Sequence, residues 1–252
     1  MFASRLSLLL ATAILMAGCR DDSEPNPTPT PTPAPSPSPS PTPSPTPTPG
    51  QTVRVPFNFE RDFGGWTSDV SDYTQGTEAD VAFSATIAAV PPQVTARSGL
   101  RLSSRSARVY VWRAVDGLAP NARYRVDAQL TIAANTPPGC PGVGGPPGES
   151  VKVYVGATTR QPAKSVGQGG KIVPNFDSAG NEFRTVGDLA TPGAGSCSNN
   201  FYALKQLSTD GRGPVVSADA SGRLWAVFTT TSGFAGVTDM WLLDGSFTLS
   251  PA

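Results

Sequence analysis

Arg108-Val109-Tyr110-Val111-Trp112-Arg113 alternates along its whole length. On an extended chain successive side chains point to opposite faces, so Val109 and Val111 share one face while Arg108, Tyr110 and Trp112 share the other. A helix would scatter both sets around its axis. The run reads as a strand, and the same pattern continues in both directions. Short segments rich in Val, Tyr, Phe, Trp and Thr recur between Gly, Pro and Asn. They predict strands over residues 52–59, 81–89, 99–104, 107–115, 123–133, 150–157, 201–207, 223–230 and 239–249. No amphipathic helix is expected. Many strands with turn signals and no helices point to an all-β fold, a β-sandwich of jelly-roll type, over residues 51–252. Two long Gly/Pro loops, 136–148 and 191–199, interrupt the pattern, and each holds one cysteine. Loops of that length in a compact domain are functional or need tying down.

Upstream the grammar changes twice. Residues 25–49 place proline at every second position, separated by Thr and Ser apart from Asn26 and Ala34. That density favours polyproline II and permits neither a core nor a ladder. At about 3.1 Å per residue the stretch reaches roughly 75–80 Å, a semi-rigid stalk. Before it, Arg5 precedes an apolar run from Leu6 to Met16, broken by Ser7 and Thr12. The run falls short of the roughly 20 residues that a membrane-spanning helix needs. With small residues at Ala17 and Gly18 it has the build of an export signal over residues 1–18. Leu15-Met16-Ala17-Gly18-Cys19 resembles the lipobox of bacterial lipoproteins, although Met16 stands where Leu is usual. The resemblance implies a lipid on Cys19. Arg20 in place of Asp implies sorting to the outer membrane, so residues 19–50 would link a membrane anchor to the domain. Each buried CH₂ of the acyl chains would add about 0.8 kcal/mol of membrane affinity.

Composition narrows the chemistry. There is no histidine, which excludes Ser-His-Asp and Cys-His catalytic sites and removes the commonest zinc ligand. Formal net charge is zero, so no nucleic-acid partner is implied. Arginines gather between Arg97 and Arg125 at strand-like spacing, which reads as a solvated sheet face. Of the three cysteines, a lipidated Cys19 leaves Cys140 and Cys197 as an even pair in an oxidising setting, where a disulfide is expected. Gly167-Gln168-Gly169-Gly170-Lys171 lacks the spacing of a phosphate loop. Asp69, Asp72, Glu78, Asp80 and Glu149 form no diagnostic carboxylate pair, so a non-enzyme is expected.

Further signals carry a family likeness. Phe57-Asn58-Phe59-Glu60 is followed by Gly64-Gly65-Trp66, then Gly99-Leu100-Arg101-Leu102. Gly117-Leu118-Ala119-Pro120 then leads to Tyr124, and Trp241-Leu242-Leu243-Asp244-Gly245-Ser246-Phe247 closes the chain. In this order the segments resemble the jelly-roll, galactose-binding-like carbohydrate-binding modules. Residues 142–151 and 232–238 resemble a family of bacterial secreted lipoproteins, a likeness that brings no activity with it. The carbohydrate-module resemblance implies a structural calcium held by Glu60 and Asp244, the carboxylates of the first and last strands. Calcium would need backbone carbonyls and water to complete six to eight oxygens. It also makes Tyr110, Trp112 and Trp225 candidates for stacking on a sugar. A large aromatic in a sandwich is more often core, and both readings stand at this point. The leading expectation is a surface-tethered, non-catalytic module for a carbohydrate or glycan polymer. A structural or adhesive envelope protein that binds other proteins through the cysteine loops is the alternative. A histidine-independent glycoside hydrolase is the third reading.

Overall fold

A computed structural model describes residues 50–252. The export signal, Cys19 and the proline run lie outside the described residues. Two antiparallel sheets face each other, one of seven strands and one of five. In the first, Ala203–Ser208, Arg123–Ala134, Val237–Pro251, Ser98–Arg105 and Ser84–Ala89 lie in that order. Val53–Asn58 joins the C-terminal half of Val237–Pro251, and Val215–Ser217 joins Arg123–Ala134. In the second, the order is Phe183–Asp188, Val151–Thr158, Leu224–Ser232, Arg108–Val115 and Thr67–Ser71. The fold is therefore an all-β sandwich, and all nine expected strands are present to within a few residues. The segment expected at 81–89 begins later, at Ser84, because Glu78–Val81 forms a single helical turn that ends in left-handed backbone at Ala82.

Alternation decides which side chains enter the space between the sheets. Val109, Val111, Val153, Val155, Ala226 and Phe228 line it from the five-stranded sheet. Val126, Ala128, Leu130, Ile132, Phe247 and Leu249 line it from the other. Phe57, Phe59, Trp66 and Phe247 pack together at one end, with ring centroids 5.2–6.3 Å apart. The segments that carried the family likeness are mostly fold staples. The Tyr124 hydroxyl accepts the Ala119 amide at 2.9 Å, locking the turn before its own strand. Residues 142–151 and 232–238 pair with each other: Ala235 N–H donates to Val143 O at 2.8 Å and Gly233 N–H to Ser150 O at 2.9 Å.

Cys140 and Cys197 are bonded, joining the two long loops. The loops spring from neighbouring strands, and Thr191 N–H donates to Thr136 O at 2.8 Å beside the bridge. Close by, Asp188 ties the sheets together. Lys152 of its own sheet reaches it at 3.1 Å, and so does Lys205 of the facing sheet. Burial works to raise the Asp188 carboxyl, but the hydrogen bonds and charges of Lys205 and Lys152 outweigh it and hold the group below the usual carboxylate range. A depressed folded-state value means that the charged form favours folding. The stabilisation is therefore present above the unfolded carboxylate value, about 4, and is lost as pH falls through the folded one. Lys205→Met should lower the melting temperature at neutral pH, with the gap to the unsubstituted protein narrowing below about pH 4. Thermal melts of both proteins between pH 2 and 7 check this, and a gap that does not change with pH would refute it.

Candidate functional site

The outer face of the five-stranded sheet is closed. Tyr110 and Trp112 point to it, as the alternation requires, but Tyr110 is 0% exposed and Trp112 only 6%. Their rings stack at 5.2 Å, Phe176 meets Tyr110 edge-on at 5.4 Å, and Phe183 stacks on Phe176 at 5.2 Å. Phe176 comes from the segment between Lys171–Pro174 and Phe183–Asp188, which folds back over the sheet. The sugar-stacking expectation for Tyr110 and Trp112 is thereby corrected: both rings belong to a second apolar cluster on this face. Asp69 lies 3.4 Å from the Tyr110 hydroxyl and takes Lys164 at 2.6 Å. Burial first, then the Asp69 charge, push the phenol well above its ordinary value. Trp225 packs half-buried against the same cluster, with the Arg223 guanidinium 5.7 Å from its ring centre. The arginine-rich stretch is not a uniformly solvated face either, since the Arg108 side chain is largely buried and bonds Asp72 at 2.9 Å.

The outer face of the seven-stranded sheet is open, and register organises it in rows. Arg54, Thr248 and Asp127 stand side by side across three strands. The next row is Pro56, Ser246, Gln129 and Ser208, and the next is Asn58, Asp244, Thr131 and Gln206. Two cavities of about 560 and 400 Å³ lie along these rows and share Arg54, Gln129 and Ser246, making one continuous groove. A bulge makes the third row. The register of Val237–Pro251 slips between Leu242 and Asp244. Leu242 points into the core, so unbroken alternation would carry Asp244 inward as well. The extra residue places Asp244 outside and returns Phe247 and Leu249 to the interior. Gly245 then passes so close to its neighbours that a Cβ would stand 2.2 Å from Gln129 O.

Glu60 and Asp244 converge as the calcium reading required, but on a cation supplied by the chain itself. Arg97 bonds Glu60 through Nε and Asp244 Oδ2 through Nη1, the latter at 2.7 Å. The two carboxylates raise the guanidinium further above its ordinary value. These side chains are a third exposed, so the ion pairs add little stability and serve chiefly to orient. Thr131 Oγ1 donates to Asp244 Oδ1 at 2.7 Å and accepts from Gln206 Nε2 at 3.0 Å. The row from Glu60 to Gln206 is thus one linked network. Asp127 is similarly held, accepting from Thr209 Oγ1 at 2.7 Å and Gly213 N–H at 3.0 Å. The groove is lined by carboxylates, carboxamides, hydroxyls and guanidinia of near-balanced charge, a surface suited to many directional hydrogen bonds with an uncharged, hydroxyl-rich ligand. No cluster of three or more potential metal-ligating acids or cysteines occurs among the described residues. Sequence reasoning named Glu60 and Asp244 as site residues and Arg97 only as part of an arginine-rich sheet face, and it missed Arg54, Gln129, Thr131 and Gln206; for the last three the polar members of period-two alternation in 123–133 and 201–207 were the available signal.

No curated protein matches the sequence. A family model described as a fungal mating-type pheromone matches residues 1–69, mostly outside the described residues. Among solved structures, the chain is similar to the CBM22-1 xylan-binding domain of Paenibacillus barcinonensis Xyn10C. Identity is 12%, coverage is 81% of this chain and 97% of that one, and the TM-score is 0.38. The K1 cleaved adhesin domain of Lys-gingipain from Porphyromonas gingivalis shows 10% identity over 77% and 97% of the two chains, with TM-score 0.37. The mannan-recognising carbohydrate-binding module TmCBM27 shows 9% identity over 79% and 98%, with TM-score 0.36. The sandwich assignment for this chain rests on its own two sheets.

Proposed function

We propose that the domain binds a neutral glycan polymer along the groove on its seven-stranded sheet, while a lipid on Cys19 and the proline stalk hold it to the bacterial outer membrane. One observation carries the binding reading: three successive rows bring Arg54, Asp127, Gln129, Asn58, Asp244, Thr131 and Gln206 to one open sheet face, with Asp244, Thr131 and Gln206 already oriented by one another and Asp127 by Thr209 and Gly213. Prepositioned donors and acceptors lose little freedom when they meet a ligand, which favours binding. From Asp127 to Thr131 the rows span about 13 Å at roughly 3.3 Å per residue, and the groove is open rather than closed over. An extended chain fits such a surface better than a small molecule does. The stalk adds reach toward a large target.

Calorimetry of the purified protein with xylan, mannan and galactan oligosaccharides tests the reading. Gln206→Ala and Arg54→Ala should each weaken binding about tenfold, the loss of roughly one to two hydrogen bonds. Trp225→Ala, on the opposite sheet, should leave affinity unchanged. Absence of binding across the panel, or affinities insensitive to both groove substitutions, refutes the assignment.

A further inference from the structure

An edge strand is a template: every second residue turns its N–H and C=O outward, ready to pair with another strand. The sandwich blunts its edges one after another. Val53–Asn58 carries Arg54 and Pro56, and proline has no N–H to offer. In Ala203–Ser208 the Lys205 side chain turns inward to Asp188. Val215–Ser217 is only three residues long. Phe183–Asp188 holds Arg184 and a slip in register between Thr185 and Gly187. Thr67–Ser71 is bordered by Lys171–Pro174: Asp72 N–H donates to Ile172 O at 2.7 Å, and Asp69 takes Lys164 at 2.6 Å.

Ser84–Ala89 has none of these devices. It ends the seven-stranded sheet and, among the described residues, pairs with Ser98–Arg105 alone. Its six residues include no charge, proline or glycine, and its register runs without a slip. Ala85 and Ile87 lie opposite Leu102 and Leu100 and pack on the core, so Ser84, Thr86 and Ala88 share the outer face. Small side chains leave room for another backbone to approach.

We propose that Ser84–Ala89 pairs antiparallel with the same strand of a second copy of this chain, joining two seven-stranded sheets into one across a two-fold axis. Opposed residues of an antiparallel pair share a face, so one residue stands opposite itself at the axis. Thr86 fills that place: it is the middle outer residue, and paired threonines hydrogen-bond across strands. Ala85 then faces the partner's Ile87 on the inner side, and Ser84 faces the partner's Ala88 on the outer. Nothing in the pair opposes like charges, and this self-match is what favours a second copy over a foreign strand. A six-residue edge makes a smaller contact than a standard interface, so the dimer is weak, with Kd in the micromolar range. The axis stands perpendicular to the sheet, which brings both grooves to the same side of the joined surface. Two grooves on one side strengthen attachment to a long polymer. That consequence rests on the glycan reading; the pairing does not.

Sedimentation velocity of the full chain over about 1–300 μM, with no glycan present, tests the pairing independently of any ligand. The parent should pass from monomer to dimer across this range. Thr86→Glu and Thr86→Lys should each raise the dimer Kd about five- to tenfold, because like charges then meet at the axis. An equimolar mixture of the two should dimerise again, because opposite charges meet. Thr86 is exposed, so both variants should melt near the parent's temperature. A parent that stays monomeric throughout refutes self-pairing. So does a dimer indifferent to both substitutions, or a mixture that stays monomeric where the parent dimerises.

Discussion

Replacing Tyr110 with alanine should destabilise the domain by about 3–5 kcal/mol, the range for deleting a large buried aromatic. The ring is fully buried, stacks on Trp112 and supports Phe176, so its loss opens a cavity beneath the segment that covers the sheet. It also removes the hydroxyl that faces Asp69. For a domain of this size each kcal/mol moves the melting temperature by about 2–4 °C, so a drop of roughly 10–15 °C is expected. Trp225→Ala should cost less, because that ring is only half-buried. Equilibrium urea unfolding of the two variants measures both effects. A Tyr110→Ala protein as stable as the parent would mean that the ring is not core, and would return it to the list of ligand-stacking candidates.

Breaking the Cys140–Cys197 bridge should have an effect of similar size. The bond closes a loop across a sequence separation of 57. In the chain-entropy account that constraint on the unfolded chain is worth about 4 kcal/mol. The native state keeps much of its local order without the bond, since Thr136 and Ala190 still bridge and the strands on either side still pair. The Cys140→Ser, Cys197→Ser double variant should therefore fold to the same sandwich and unfold at markedly lower urea. Superimposable unfolding curves for the parent and the double variant would show that the bond contributes nothing. The same variant should admit proteolysis within the 191–200 loop first, because the hairpin of Gly195–Ser196 and Asn199–Asn200 there is held by little else.

Much of the architecture was legible in residue order. Alternation in 107–115, 123–133 and 239–249 identified strands and their inward faces, because period two is a local property of an extended backbone. The Cys140–Cys197 pairing was expected by setting Cys19 aside as the lipid carrier, and the two loops in need of tying were legible as Gly/Pro runs. The weaker strands Lys164–Val166, Lys171–Pro174 and Phe183–Asp188 were not, since they are short or lack an unbroken apolar/polar alternation. That omission mattered. Without the segment that carries Phe176, the outer face of the five-stranded sheet reads as an open aromatic platform; with it, the same rings are core.

The groove shows the same division. Residue order alone established an all-β chain with alternating strands, histidine-free chemistry, a cysteine in each of two long loops and a proline-rich stretch ahead of the domain, because composition and short-range periodicity carry that information. Only the tertiary structure decided which sheet face is open, that Arg97 stands between Glu60 and Asp244, and that the bulge before Asp244 turns its carboxylate out beside Thr131 and Gln206. Those outcomes depend on register between strands separated by up to some 190 residues, as Asn58 opposite Asp244 illustrates. Register is set by packing the whole core at once: one residue of slip would send Phe247 and Leu249 into solvent and Asp244 into the interior, and no local stretch of sequence contains that comparison.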